Sequence, residues 1–412
     1  MRFLLPVAVL AIIGVACGSS QSNPTPPSSG PTPTSTTSAP APLPTPTPAQ
    51  TPSPPTPTLS SEALELTVVD TSLHSVPLED IVFDTFGQGP AAFLKLTDAT
   101  DEDIIRVRDR IPPLNDPQYT TIEVVDFLDP TDLVLSYSSE GKHYAYPFQI
   151  LNFHEFVNDE IDGVPILISY CPLCRSGVVF DRRVDGIALT FGNTSALYES
   201  NAVAYDKETG SYWYQAGGRA IVGPLTGKRM RPLPSLVTTW AEWTSLHPDG
   251  LVLSTDTGYS APYQADYFAG YEVTIEQRGF AFPVSEEARD PRLGLSAHVL
   301  VVMPGDSERA YHLDGLGDAV VNDTISGHDV VVFSMESGPS GAAYLPFIDG
   351  QQLTFQFKQN HYVDDQTGST WNLAGHSTAG SLEGQTLEPL PSLFTFWFTA
   401  VAAFPQIDLY TP

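Results

Sequence analysis

The chain has 412 residues, with 48 acidic against 19 basic side chains and a formal net charge of −29. That balance repels phosphate and excludes a nucleic-acid partner. Charged residues are 16% and hydrophobic residues 42%, enough to bury a core over most of the length, while three cysteines are too few for a disulfide scaffold.

The first segment reads as an export signal. Met1-Arg2 is a short basic start, and an apolar run follows from Phe3 to Val15. The run is short of the ~20 apolar residues that span a bilayer. It ends Gly14-Val15-Ala16-Cys17-Gly18, which resembles a bacterial lipobox with Gly14 in place of the usual Leu. This assigns residues 1–17 to a signal peptide. It makes Cys17 the lipidation site and the membrane a partner through the lipid anchor.

Residues 18–61 carry no charge and are almost wholly Pro, Thr, Ser, Ala and Gly. Such a segment cannot offset its ordering entropy by burial and is expected to be a disordered stalk. In polyproline II at ~3.1 Å per residue it reaches on the order of 100 Å. Anchor and stalk together place the folded part outside the cytoplasmic membrane.

Residues 62–122 form a lead-in. Residues 66–70 (LTVVD) suggest a strand, and residues 101–110 (DEDIIRVRDR) a short helix with Asp101 as its cap and Pro112-Pro113 beyond. The remainder is expected to comprise two related β-rich units, barrel- or sandwich-like, from an internal duplication. They span 123–255 and 295–412, with a Tyr-rich connector at 256–294. TGSYWYQAGGRAIVGPLTGKRMRPLPSL at 209–236 matches TGSTWNLAGHSTAGSLEGQTLEPLPSL at 367–393. Trp213 pairs with Trp371, Trp240 with Trp397, Asn158-Asp159 with Asn322-Asp323, and Asp185-Gly186 with Asp349-Gly350. Strands are expected at 164–170, 177–181, 187–191 and 202–206, punctuated by Asp-Gly and Thr-Gly turns. Residues 148–158 and 236–246 are the best helix candidates. The fold class is therefore mainly β with a few short helices.

SYCPLCRSGVVFDRRVDG at 169–186 resembles the bacterial domain of unknown function 3179 family. The flanking AYPFQILNFHEFVNDEIDGVP and LTFGNTSALYESNAVAYDKETGSYWYQ share the resemblance, which runs from about Val76 to Tyr410. It implies a lipoprotein of that family. It implies no activity, because the family's name records none.

Cys171 and Cys174 are the chief candidates for chemistry, and three readings stay open. Cys-Pro-Leu-Cys resembles one knuckle of a zinc ribbon or rubredoxin site. With no second knuckle, a Zn or Cu site would need an imidazole, His154 or the nearby His143, leaving an open coordination position. Alternatively the pair is redox-active, with His154 as base and an imidazolium lowering a thiol pKa. The third reading is an inert disulfide, although so short a loop gives only about 2 kcal/mol. By the pairing of the halves, Cys171, Cys174 and His154 correspond to Met335, Gly338 and Asp318. The chemistry is thus expected in the first unit alone.

Trp213 and Gln215 are candidate pocket residues, with core packing the better reading for Trp213. Glu155 reads as a solvated surface carboxylate rather than a proton carrier, and Asn158-Asp159 as a turn. The leading functional expectation is an extracytoplasmic thiol-redox or metal-handling protein. The alternative is a non-enzymatic surface module for a glycan, peptide or envelope partner. A hydrolase built on His154 and Glu155 lacks any nucleophile motif.

Overall fold

A computed structural model describes residues 68–87, 93–336 and 338–412. The signal peptide, Cys17 and the stalk lie outside the described residues. From Thr67 to Pro412 the chain is one compact unit. Among the described residues no helix is long and apolar enough to cross a membrane.

Among the described residues the fold is mainly β with six short α-helices, and no sheet closes into a barrel. Two nine-stranded sheets dominate. The first runs in space Leu114–Asn115, Phe156–Ile161, Val164–Cys171, Ser176–Asp181, Ser392–Phe396, His298–Val302, Arg309–His312, Asp408–Leu409, with Arg231–Leu233 also on Ser176–Asp181. The second runs Ala319–Ile325, His328–Met335, Ser340–Leu345, Leu236–Thr239, Leu133–Ser139, Lys142–Pro147, Leu251–Leu253, Tyr119–Thr121, with Glu388–Pro389 beside Ser340–Leu345.

Each large sheet therefore joins a three-stranded meander from one half of the chain to strands from the other half. The junctions are Gly177 opposite Phe394 and Gly341 opposite Val237. A Cβ on Gly341 would sit 2.6 Å from Leu313 Cδ2, so the close approach there requires glycine. Apolar residues of both sheets, among them Leu135, Ile168, Leu300, Val332 and Phe394, meet in one core.

A six-stranded sheet packs against the first large sheet. Its order is Arg219–Val222, Tyr212–Tyr214, Asn201–Asp206, Phe191–Tyr198, Val82–Asp84, Phe93–Lys95. A four-stranded sheet (Phe355–Lys358, His361–Asp364, Thr370–Trp371, Ser377–Ala379) forms the corresponding layer in the second half. The first large sheet is thus covered on both faces. This is why Val164–Cys171 is an almost unbroken buried run rather than an alternating one.

Framework contacts recur between the halves. Phe191 N–H donates to Asn158 Oδ1, and Asn158 Nδ2 donates back to the Phe191 carbonyl, both at 2.8 Å. Asn322 and Phe355 make the same pair of bonds at 2.8 and 2.9 Å. Trp213 Nε1 donates to Asp206 at 2.8 Å, as Trp371 does to Asp364 at 3.1 Å.

Several local expectations are corrected. Val68–Asp70 is irregular rather than a strand. The helix Asp101–Val107 is capped by Thr100, not Asp101, through a capping box with Asp103. The helix at Phe148 ends at His154, and Asn158-Asp159 lies in the strand Phe156–Ile161 instead of a turn. Leu236–Thr239 is a strand and only Trp240–Leu246 is helical. In both places β pairing with a distant strand overrides a local pattern that also suits a helix.

Candidate functional site

Cys171 ends the strand Val164–Cys171, and Ser176 opens the next strand of the hairpin. Strand alternation sends Leu167 and Cys171 to the face under the six-stranded sheet, and Ile168 and Tyr170 to the opposite core. The connecting turn is tight. Cys174 N–H donates to the Cys171 carbonyl at 3.4 Å, and Arg175 takes φ +44° to return the chain. Both sulfurs consequently face the same interior. They are free thiols, 1% and 0% exposed.

The Cys174 sulfur sits among polar groups from four elements. Asn201 Nδ2 lies 2.8 Å from it and Ser176 Oγ 3.3 Å from it. The Cys171 side chain also bonds to it, and the Thr399 hydroxyl, which has no hydrogen-bond partner of its own among the described residues, stands near enough to favour its charged form. Gln215 Oε1 holds the two donors in place, receiving Ser176 Oγ at 2.5 Å and Asn201 Nδ2 at 2.8 Å. Asn201 is itself oriented by Ala216 N–H, which donates to its Oδ1 at 3.1 Å. The second half supplies the floor. Phe396 N–H and Thr395 Oγ1 both donate to the Cys174 carbonyl, at 3.0 and 3.2 Å.

Burial alone raises a thiol pKa. At Cys174 the hydrogen bonds from Cys171, Ser176 and Asn201, with the nearby Thr399 hydroxyl, outweigh it and bring the thiol below its ordinary value. A hydrogen bond to a charged acceptor is worth about 1.5–3 kcal/mol, so three match the several kcal/mol of burying one charge. Cys171 has the opposite fate. Burial pushes it well up, and giving its proton to the Cys174 sulfur pushes it further. The Ser176 hydroxyl can follow either state of Cys174. Towards a thiol it accepts and passes its own proton to Gln215, and towards a thiolate it turns and donates.

Glu155 is not on the surface. It is 7% exposed, and Asn193 Nδ2 donates to its Oε2 at 2.7 Å. Burial pushes its carboxyl up to about 8, against the Asn193 bond, and the nearby Cys174 and Asp84 charges add to the rise. Its chain neighbour His154 turns to the opposite core. There Nδ1 lies 2.8 Å from the Pro112 carbonyl and Nε2 2.6 Å from the Tyr263 hydroxyl. Both ring nitrogens are thus engaged away from the thiols. His143 is also elsewhere, bonded to Ser138 and stacked on His247. The expected set of Cys171, Cys174 and an imidazole does not assemble. Among the described residues no group of three or more His, Cys, Asp or Glu side chains is arranged to hold a metal ion.

Of the two candidate pocket residues, Gln215 joins the thiol site and Trp213 does not. Trp213 is a buried framework residue bonded to Asp206 and packed edge-on against Phe191. Ser176, Asn201 and Thr399 escape the sequence reading, and Glu155 is misplaced by it. Ser176, Asn201 and Glu155 lie in the stretches that carry the family resemblance, but no spacing rule says which side chains face the thiols. The connector packs closely on the first half. Asp266 binds Asn152 and Arg175, and Tyr263 binds His154. Tyr271, on the helix Tyr271–Arg278, feels the charge of both thiols. No curated protein and no solved structure matches the chain. The model of one family, described as protein of unknown function (DUF3179), matches residues 108–407, which is most of the chain, and the protein belongs to that family.

Proposed function

We propose that this protein is an exported, lipid-anchored thiol–disulfide oxidoreductase, held outside the cytoplasmic membrane by Cys17 and its stalk. The observation that carries the chemistry is the nest of donors around the Cys174 sulfur, beside a second thiol of opposite pKa shift. A structural cysteine pair needs no such nest. Among the described residues the metal-handling reading finds no third ligand beside the thiols.

In the forward step the Cys174 thiolate attacks one sulfur of a substrate disulfide. The first substrate thiolate leaves and takes the Glu155 proton. The Glu155 carboxylate then accepts the Cys171 proton, and the Cys171 thiolate attacks Cys174 Sγ. The second substrate thiolate leaves with that same proton from Glu155. The substrate disulfide is reduced to two thiols, Cys171 and Cys174 are oxidised to a disulfide, and Glu155 ends ionised. Both sulfurs are buried, so a substrate reaches them only after a local movement of the segments that cover them.

The recurring Asn–Phe and Trp–Asp bonds support reading the two halves as products of an internal duplication. One copy carries the thiols. The other supplies Thr395, Phe396 and Thr399 as their floor.

The test is thiol exchange of the reduced protein with oxidised glutathione. Cys171→Ser should accumulate a mixed disulfide on Cys174, and Cys174→Ser should not react. A reduction potential below about −300 mV, or exchange unchanged in Cys174→Ser, overturns the proposal.

A further inference from the structure

A second cavity, about 460 Å³ in volume, lies between the halves, away from the thiols. Its size is that of a small-molecule site. His143, His247 and His376 line it, with Glu140 also on its wall, and the rest mixes apolar side chains such as Leu236, Leu387 and Leu390 with serine and threonine hydroxyls.

The strand registers place these residues against counterparts elsewhere in the molecule. Val134 pairs with Pro147 as Val299 pairs with His312, and counting back along the strands sets His143 against Glu308. Arg219 bridges Arg229 as His376 bridges Thr386. His247 follows the helix Trp240–Leu246 as Phe404 follows Trp397–Ala403.

At the counterpart place an arginine fills the space. The Arg229 guanidinium is 3.3 Å from Glu308 and lies over the Phe404 ring, 5.6 Å from its centre. Arg219 donates to the Ala403 carbonyl at 2.8 Å. In the cavity Arg219 and Arg229 are replaced by the shorter His376 and Thr386, Phe404 by the His247 ring, and Glu308 by the His143 ring. The His143 and His247 rings stack with centres 3.8 Å apart. Nδ1 of His143 pairs with Ser138 Oγ, and Nδ1 of His376 with Thr386 Oγ1, both at 2.8 Å. When Nδ1 donates to the hydroxyl, Nε2 is left as an acceptor.

We propose that this cavity binds a planar guanidinium or amidinium group, seated on the imidazoles as Arg229 seats its own guanidinium against Glu308 and Phe404. The group stacks on the His143–His247 pair and donates to the free ring nitrogens, while its apolar stem lies along Leu236 and Leu390. Burial keeps all three imidazoles below their usual pKa, His247 down to about 3, so at neutral pH they are neutral acceptors. Glu140 and the net charge of −29 add attraction for a cation and disfavour a carboxylate. This site is independent of the thiol reading.

The test titrates the folded domain with n-butylguanidinium by calorimetry. Its neutral and anionic analogues, n-butylurea and butyrate, and zinc chloride alone serve as comparisons. Saturable binding of one butylguanidinium per chain, with the analogues at least about tenfold weaker, is expected. Thr386→Arg introduces an internal guanidinium at an exposed position and should abolish binding with the circular dichroism unchanged. His143→Leu, which keeps bulk and loses the stack, should weaken it by about tenfold. A capped Gly-Arg-Gly peptide binding more tightly than butylguanidinium identifies an arginine side chain as the source, and the reverse identifies a free small cation. Tighter binding of butyrate or zinc, butylguanidinium binding unchanged by Thr386→Arg, or no saturable binding overturns the proposal.

Discussion

Asn201 places its side-chain amide 2.8 Å from the Cys174 sulfur, although 27 residues separate them in the chain. The same amide lies 2.8 Å from Gln215 Oε1, so its direction is fixed rather than free. A neutral amide directed at a buried sulfur stabilises the thiolate without a countercharge, and the pair can therefore be tested by removing one donor at a time.

Asn201→Ala removes one such donor, leaving Cys171 and Ser176. The lost bond to a charged acceptor, about 1.5–3 kcal/mol, corresponds to a rise of roughly one to two pKa units in the Cys174 thiol. Ultraviolet thiolate absorbance against pH measures this directly. An unchanged titration would show that Asn201 acts on the fold and not on the sulfur.

Glu155 sets a pH dependence of stability. Its folded pKa of about 8 stands above the ordinary carboxyl value, so the neutral form is the buried one. Below the unfolded pKa both states are protonated and the stabilisation is complete. As pH rises towards the folded value the unfolded state loses its proton first, and stability falls. The loss is on the order of 4–5 kcal/mol at most. Glu155→Gln keeps an acceptor for Asn193 and should flatten denaturation midpoints between about pH 5 and pH 8. It should also slow disulfide closure between Cys171 and Cys174.

His154→Phe separates the imidazole from the thiols. Losing the bonds to Pro112 and Tyr263 should cost about 1–3 kcal/mol of stability, read from denaturant midpoints. The alkylation rate of the thiols in the folded protein should stay within about twofold, because the ring faces the other core. A large change in thiol reactivity at constant stability would return His154 to the site.

The junction glycines should differ. Gly341→Ala drives a methyl to 2.6 Å from Leu313 Cδ2 and should destabilise by about 1–3 kcal/mol. Gly177→Ala meets its nearest neighbour, Val237 Cγ2, at an ordinary 3.5 Å and should be nearly neutral. Equal effects in thermal melts would contradict the packing at the sheet junctions.

What the sequence determined by itself is local or compositional. The expectation of no nucleic-acid partner rests on charge, and the family on the long motif around Cys171 and Cys174. The strand-rich character rests on short β-branched runs between turns, and Ser176–Asp181 and Asn201–Asp206 lie where those runs predict them. The matched tryptophans were legible as repeated letters, and both Trp213 and Trp371 donate to an aspartate seven residues before them. Tertiary structure alone decided which side chains meet. His154 and Glu155 are adjacent in the chain, yet one bonds to Tyr263 and the other to Asn193 in different cores. The direction a side chain takes at the end of a helix is set by the layer it packs against, not by its neighbours in sequence. The donors to the Cys174 sulfur come from Ser176 and Asn201, and those to its carbonyl from Thr395 and Phe396, more than two hundred residues away. Thr395 and Phe396 reach the site because a strand from the second half completes the sheet that carries the thiols. No spacing rule records a pairing of that kind, since it is fixed by the exchange of strands between halves and by the burial that follows from it.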